Sequence, residues 1–487
     1  MNILFASSEV APFAKTGGLG DVSASLPKAL NEIGCSLSVI MPFYKSVKNL
    51  GLNLTPFTIE GFNFLSTYAG GEPLSTRQAG ALGARHGADD INYVFVVNDE
   101  YYDRDNLYSD GNGEYKDNGL RFSYFSRAVL SFAINSDFKP DIIHCNDWHA
   151  GLVCLYAKLR NTGIETLFTI HNIGYQGLFP KALFDKLCIP RRFFKVNDIL
   201  HHGKISFLKA GIIHSSAIST VSNGYRKEIL TPAFGCGMDA ILRRHASRIY
   251  GIVNGVDYSE WDPKTDKRIA CNYGPENIDR KTGCKKDLIE STGLPPETME
   301  RPVVGMISRL AYQKGVDLIA GTAKDIIDLG ASIVILGIGD DKYNNLFKDI
   351  AGRHPGYISS HIVFDDSLAH KIEAGSDIFV MPSRYEPCGL NQLYSLRYGT
   401  LPVVRATGGL DDTIIDLYAD KERGNGIKFS GATKKDLIEA IARAVELYKN
   451  KELWQDVTKR IMNLDFSWRT SALQYKRLYE KMLNSPR

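Results

Sequence analysis

Scarcity is informative in this chain of 487 residues. Its eight cysteines, at positions 35, 145, 154, 188, 236, 271, 284 and 388, form no C-x-x-C pair and no Cys/His spacing of the zinc type. We read them as reduced thiols, which excludes a disulfide-stapled scaffold. No apolar run approaches the roughly 18 residues that a membrane-spanning helix needs. Met1 is followed at once by the strand-like run Ile3-Leu4-Phe5-Ala6, with no basic and apolar leader before it. A cytoplasmic protein, or one already trimmed of a leader, is therefore expected. Net charge is also scarce: 58 Lys+Arg against 55 Asp+Glu leave +3. No global field draws the chain to nucleic acid or to a membrane surface, so any anion must be met by local charges.

What is present describes a globular protein of average composition, with 44% hydrophobic and 23% charged residues. At roughly 150 residues per domain, two or three domains are allowed. Short apolar runs bounded by turn residues recur at 3–6, 37–41, 91–97, 141–144, 166–170 and 217–221, then at 303–307, 333–336, 361–364, 377–381 and 401–404. Helical patterns lie between them. In 21–33, Val22, Leu26, Ala29, Leu30 and Ile33 share one 3.6-period face; similar stretches occupy 315–329 and 389–398. Alternating strand and helix imply α/β domains with parallel sheets covered by helices. The run G-I-V-N-G-V-D-Y-S-E-W-D-P at 251–263 suits a hinge, which places the domains at 1–250 and 251–461. The tail 462–487 has Leu473, Tyr475, Leu478, Tyr479 and Met482 at helical spacing.

Three groups of residues carry chemistry. The loop K-T-G-G-L-G-D at 15–21 follows the first strand and opens a helix. Gly17 and Gly18 let backbone amides approach a ligand, and Lys15 adds positive charge, so the loop reads as a phosphate site although it is neither G-x-G-x-x-G nor Walker A. In the other domain Arg309 and Lys314 follow strand 303–307, and Arg384, Glu386 and C-G-L-N-Q at 388–392 follow strand 377–381. Open α/β sheets bind ligands at such carboxyl ends, and two cations beside a glycine turn can hold a diphosphate without a metal. In the first domain His171-Asn172 and Asn146-Asp147-Trp148-His149 follow two buried strands. Asp103 and Asp105 have the spacing of a metal-holding carboxylate pair but sit in the charged loop 103–118, and we assign no metal there.

These residues are similar to those of the bacterial glycogen synthase and plant starch synthase family. The resemblance rests on K-T-G-G-L-G-D at 15–21, H-C-N-D-W-H-A-G-L at 144–152, F-T-I-H-N-I-G-Y-Q-G at 168–177, T-V-S-N-G-Y at 220–225 and V-N-G-V-D at 253–257. It continues with S-R-L-A-Y-Q-K-G at 308–315, P-S-R-Y-E-P-C-G-L-N-Q-L-Y at 382–394 and T-G-G-L-D-D-T at 407–413, in family order over nearly the whole chain. The resemblance implies the GT-B architecture: two Rossmann-like domains facing across a deep cleft, with the helix at 462–487 crossing back to the first. It implies transfer of glucose from ADP-glucose to an α-1,4-glucan with retention of the α configuration, and no cofactor. Bacterial cytoplasm, or plastid stroma once a transit peptide is removed, follows as the location.

By the same resemblance Lys15, Gly17 and Gly18 approach the donor, Arg309 and Lys314 hold its diphosphate, and Asn254, Cys388, Gly389 and Leu390 line its pocket. His171, Asn172 and Glu386 contact sugar, while Asp21 and Asp147 lie toward the acceptor. Lys15, His171, Arg309, Lys314 and Glu386 form the catalytic set. The family places an aromatic residue on the adenine, and here Phe364 is aligned; stacking alone separates ADP-glucose poorly from UDP-glucose. His201 and His202 receive no role. A catalytically silent glucan-binding homologue is the competing class, but Lys15, Arg309, Lys314 and Glu386 are all retained. A phosphorylase would need a lysine for pyridoxal phosphate and a much longer chain.

Overall fold

A computed structural model describes residues 1–68, 91–111 and 113–485. The chain divides into two compact units: Met1–Val221 with Arg226–Asn254 and the segment from Trp468 onward, and Gly255–Ser467 with Ser222–Tyr225. The sequence reading set the divisions at 250/251 and 461/462. The structure carries the first unit on to Asn254 because strand Ile249–Gly251 still pairs with Ala217–Thr220. It keeps helix Lys451–Met462 in the second unit, where Val457 and Ile461 join the core.

The first unit is built on a sheet of nine strands among the described residues. Their order is Ile249–Gly251, Ala217–Thr220, Glu165–Ile170, Ile142–Asn146, Asn2–Ala6, Ser36–Pro42, Asn92–Val97, Phe62–Tyr68 and Thr55–Ile59. The first seven run parallel, and the last two add an antiparallel edge. Strands such as Ile3-Leu4-Phe5-Ala6 are buried on both faces, which is why they read as unbroken apolar runs. The helix expected at 21–33 begins earlier, at Gly18–Glu32, because the glycine loop itself supplies its first turn. Helix Trp468–Asn484 packs against it. Tyr475 and Tyr479 are fully buried, Tyr479 Oη lies 2.8 Å from His144 Nδ1, and Lys476 Nζ donates to the Ile33 carbonyl at 2.8 Å. Leu473, grouped with these on spacing, is exposed instead.

The second unit has a six-stranded parallel sheet in the order Ile358–His361, Ser332–Leu336, Val303–Ile307, Ile378–Met381, Leu401–Arg405 and Ile427–Phe429. Helix Val316–Asp328 covers it with Val316, Ile319, Ala323 and Ile326, an i, i+3, i+7, i+10 stripe. The strand expected at 361–364 lies at Ile358–His361. Its ladder with Ser332–Leu336 ends at His361, and Asp365 already caps the next helix by accepting from the Leu368 amide. Val363 and Phe364 are thereby left exposed, Phe364 at 81%.

Candidate active site

In the second unit, Val303–Ile307 and Ile378–Met381 are neighbours, and the strand order runs outward from them in opposite directions. Loops leaving the carboxyl ends of two such strands diverge and open a crevice. Arg309 and Lys314 leave the first strand; Arg384 and Glu386 leave the second. The two loops are pressed together. Gly315 has φ +68°, and a Cβ there would stand 2.1 Å from the Pro382 carbonyl oxygen, so glycine alone permits the turn at Tyr312–Lys314. Lys314 Nζ consequently lies 2.6 Å from Glu386 Oε2, and Ser383 Oγ donates to the same oxygen at 3.0 Å. Glu386 is buried, at 5% exposure. Both bonds fall on Oε2, which leaves Oε1 to accept from a ligand hydroxyl.

The rest of the loop pair is scaffolding. Arg384 grips Asp317 with two bonds of 2.6 and 2.8 Å and stacks on Tyr312 with its guanidinium 3.8 Å from the ring centre. It is a pin between loops rather than a cation offered to a ligand. Arg309 is exposed and contacts Gln313 Oε1 at 3.4 Å, while Gln313 Nε2 donates to the Tyr385 carbonyl at 3.0 Å. Gly409 N donates to the Glu386 carbonyl at 3.1 Å, so the T-G-G-L motif fixes the backbone of that residue. Cys388 is buried, Gly389 turns with φ +72°, and Leu390 precedes helix Asn391–Arg397. Ser222–Tyr225 belongs here too: Ser222 Oγ donates to the Pro387 carbonyl at 2.6 Å, the Tyr225 and Tyr385 hydroxyls are bonded, and Gly224 N donates to Asp412.

The first unit repeats the arrangement. Its order reverses between Asn2–Ala6 and Ile142–Asn146, whose carboxyl ends carry the glycine loop and the Asn146-Asp147 turn. Lys15 Nζ is 2.6 Å from Asp21 Oδ1, with both side chains partly exposed. The phosphate-loop reading needs a correction. Glu9, buried beneath the loop, accepts from the amides of Thr16 at 2.6 Å and Gly17 at 3.2 Å, as well as from Thr16 Oγ1 and the Tyr108 hydroxyl, both at 2.8 Å. Those two amides face a carboxylate and not a ligand. Space above Gly17 and Gly18 is open, since a Cβ on either meets nothing within 4 Å.

Asp147 has φ +53°, a left-handed backbone that a non-glycine residue adopts at a cost of about 1–3 kcal/mol, and such strain gathers at functional sites. Burial raises its pKa to about 7, against the backbone hydrogen bonds of His171 and Asn172 that favour the charged form. Its Oδ1 accepts from His171 N at 2.9 Å. His171 Nε2 lies 2.9 Å from Asn146 Oδ1, and Asn146 Nδ2 donates to the Ala6 carbonyl at 3.1 Å. That amide orientation assigns the proton of His171 to Nε2. Burial lowers the pKa of His171 to about 3, so the ring is neutral. Asn254, also in this unit, is buried with its amide oxygen unpartnered. Asp103 and Asp105 are engaged by Lys48 at 2.8 Å and Lys45 at 2.7 Å. Glu9 and Tyr108 were not singled out in the sequence as site residues, since neither periodicity nor motif spacing marks a side chain that folds back under a loop.

The starch synthase catalytic domain family matches residues 2–244, and the glycosyl transferases group 1 family matches residues 294–460. Over 492 aligned residues the chain is 42% identical to a glycogen synthase of Koribacter versatilis, covering 99% of this chain and 98% of that one. The chain belongs to the glycogen and starch synthase family. A glycogen synthase of Kosmotoga olearia is likewise 42% identical, over 100% of this chain and 99% of its own. Among solved structures, the catalytic domain of starch synthase IV from Arabidopsis thaliana, bound to ADP and acarbose, superposes with a TM-score of 0.85 at 30% identity over 99% of each chain. A sucrose-phosphate synthase from Thermosynechococcus elongatus shares the fold alone, at 15% identity and TM-score 0.60. The two Rossmann-like units are those of the GT-B glycosyltransferases, and the enzyme is a retaining hexosyltransferase that extends an α-glucan. Among the described residues no helix is long and apolar enough to cross a membrane.

Proposed function

We propose that the enzyme moves glucose from ADP-glucose to the non-reducing 4-hydroxyl of an α-1,4-glucan, without a metal or other cofactor. The observation that carries this reading is Lys314 held 2.6 Å from the buried Glu386 on the loops that leave two neighbouring parallel strands. In the reaction the bond from glucose C1 to the phosphate oxygen breaks, and the diphosphate takes the electron pair. Arg309 and Lys314 meet the charge that grows there, a preorganised contribution of about 3–4 kcal/mol per group. Glu386 accepts a sugar hydroxyl at Oε1 and supports positive charge developing at C1. With retention, the glucan hydroxyl attacks from the face that ADP leaves, and its proton passes to the departing phosphate oxygen. No covalent carboxylate intermediate is required.

Phe364 is the surface on which the adenine stacks, supported by its exposure in the loop before helix Asp366–Gly375. Lys15, Gly17 and Gly18 complete the donor's contacts, as do Asn254 and the Cys388-Gly389-Leu390 turn. Neutral His171 offers Nδ1 as an acceptor to a sugar hydroxyl, and Asn172, Asp147 and Asp21 serve the sugar and acceptor. The test is incorporation of radiolabelled glucose into glycogen from ADP-glucose and from UDP-glucose, with EDTA present. Preference for ADP-glucose supports the reading. Equal or greater use of UDP-glucose overturns the donor assignment, and no transfer from either overturns the activity.

A further inference from the structure

His370 in helix Asp366–Gly375 is fully buried, yet one of its ring nitrogens has no hydrogen-bond partner. Nδ1 lies 2.7 Å from Asp266 Oδ2, which also accepts from the Tyr398 hydroxyl at 2.6 Å. A carboxylate only accepts, so Nδ1 donates to Asp266, and the buried Nε2 is the ring nitrogen without a partner. The ring cannot turn away from this geometry: it stacks on Trp261 with centroids 3.8 Å apart, and Trp261 stacks in turn on Tyr394 at 4.0 Å. A buried polar atom without a partner is costly and calls for an occupant. Two exposed carboxylates, Glu260 and Asp366, stand beside it, with one ligand atom from each of the three residues all within 4.8 Å of one another. With Nδ1 taken by Asp266, Nε2 is the nitrogen left to ligate.

We propose that Glu260, Asp366 and His370 Nε2 bind a divalent cation of the zinc type, with Asp266 as the group that orients the histidine. A carboxylate behind a ligating imidazole fixes its tautomer and raises its basicity, as it does in many zinc sites. One imidazole and two carboxylates leave a fourth position for water and suit zinc or cobalt(II) better than magnesium or calcium, which prefer all-oxygen shells. Tetrahedral zinc at about 2.0–2.1 Å from each ligand needs ligand atoms about 3.4 Å apart. The exposed Glu260 and Asp366 side chains can close by that difference. Arg268 now bridges them, its Nη2 3.1 Å from Glu260 Oε1 and its Nε 3.1 Å from Asp366 Oδ2. It holds the carboxylates together as a surrogate cation and swings out when the metal enters. None of the ligands is in the diphosphate set, so the metal is structural: it ties the turn at Asp257–Asp262 to the helix that follows Phe364.

Calorimetric titration of the metal-free, full-length enzyme with Zn²⁺ tests this, with Co²⁺ as the optical probe. The expected result is one ion per chain, visible cobalt bands without thiolate charge transfer, and a zinc-dependent rise in unfolding temperature. E260Q and D366N each weaken binding roughly 10-fold or more, and the double variant abolishes it. R268Q tightens binding by removing the competing cation. The proposal is overturned by absence of binding in the parent, by binding that survives in E260Q/D366N, or by a thiolate–cobalt spectrum that places the ion on cysteines.

Discussion

Replacing Lys314 by alanine separates the catalytic reading of the Lys314–Glu386 pair from a structural one. The ammonium is expected to contribute about 3–4 kcal/mol to the departing diphosphate in the transition state. At 1.36 kcal/mol per decade this is a loss of roughly 10²- to 10³-fold in kcat/KM, appearing mainly in kcat. The structure also sets the cost to folding. Glu386 is 5% exposed, and without Lys314 its Oε2 retains only Ser383 Oγ at 3.0 Å. The lysine side chain is itself 22% exposed, so water can reach the orphaned carboxylate, and the penalty is about 1–3 kcal/mol. K314A should melt only slightly below the parent while losing nearly all turnover.

A double-mutant cycle with E386Q decides the matter. If Lys314 acts on the diphosphate, K314A lowers kcat/KM by a similar factor whether position 386 is Glu or Gln. If it serves only to neutralise Glu386, K314A in the E386Q background has no further effect. Initial rates of radiolabelled glucose incorporation from ADP-glucose, with differential scanning calorimetry of each variant, give both quantities. K314A/E386Q proceeding as fast as E386Q, or K314A that melts early and keeps its specific activity, would refute the reasoning.

Transfer should persist in EDTA at 25 °C; loss of turnover restored by magnesium or manganese would give Asp103 and Asp105 the metal role that their pairing with Lys48 and Lys45 argues against. Gly315→Ala should cost about 1–3 kcal/mol from its φ of +68° alone, and more from the contact with Pro382, with at least a 10-fold drop in kcat/KM as Lys314 leaves Glu386; melting and rates together check it. Asp147, with its pKa raised to about 7, keeps a proton that the unfolded chain releases near pH 4, so its contribution to stability is present below pH 4 and lost as pH rises through 7. D147N should therefore gain on the parent in unfolding temperature between pH 5 and pH 8; parallel pH profiles would refute the assignment. Lys15→Ala should lower kcat/KM less than Lys314→Ala does, measured with the same donor.

The parallel strands were legible because burial on both faces makes them largely apolar: V-V-G-M-I at 303–307 coincides with the observed strand. The antiparallel edge at Thr55–Ile59 and Phe62–Tyr68 was not, since its first strand alternates between partial burial and exposure and includes Pro56, and most of its second is only partly buried. Ile362-Val363-Phe364 misled for the opposite reason. Apolar residues exposed in a loop imitate a strand in sequence, although the ladder stops at His361. Within the site, Lys314 and Glu386 could be named from their loops, but their 2.6 Å contact depends on which strands are neighbours. Strand order is a property of the whole sheet, and no local pattern carries it.

Glu9 shows how far such a side chain changes the chemistry of a motif. Two glycines before a helix invite the reading of an anion cradle, because free amides and a helix start both favour negative charge. Here the amides of Thr16 and Gly17 already point at a buried carboxylate. A diphosphate brought to this loop meets fewer donors and a fixed negative charge below them, both of which raise the cost of its approach. Lys15, itself paired with Asp21 at 2.6 Å, can offset only part of that. The loop is better suited to a small neutral contact or to the edge of the phosphate than to the bulk of its charge. The proposed reaction accordingly assigns the countercharge for the leaving group to Arg309 and Lys314 of the second unit, where Lys314 lies 2.6 Å from the buried Glu386.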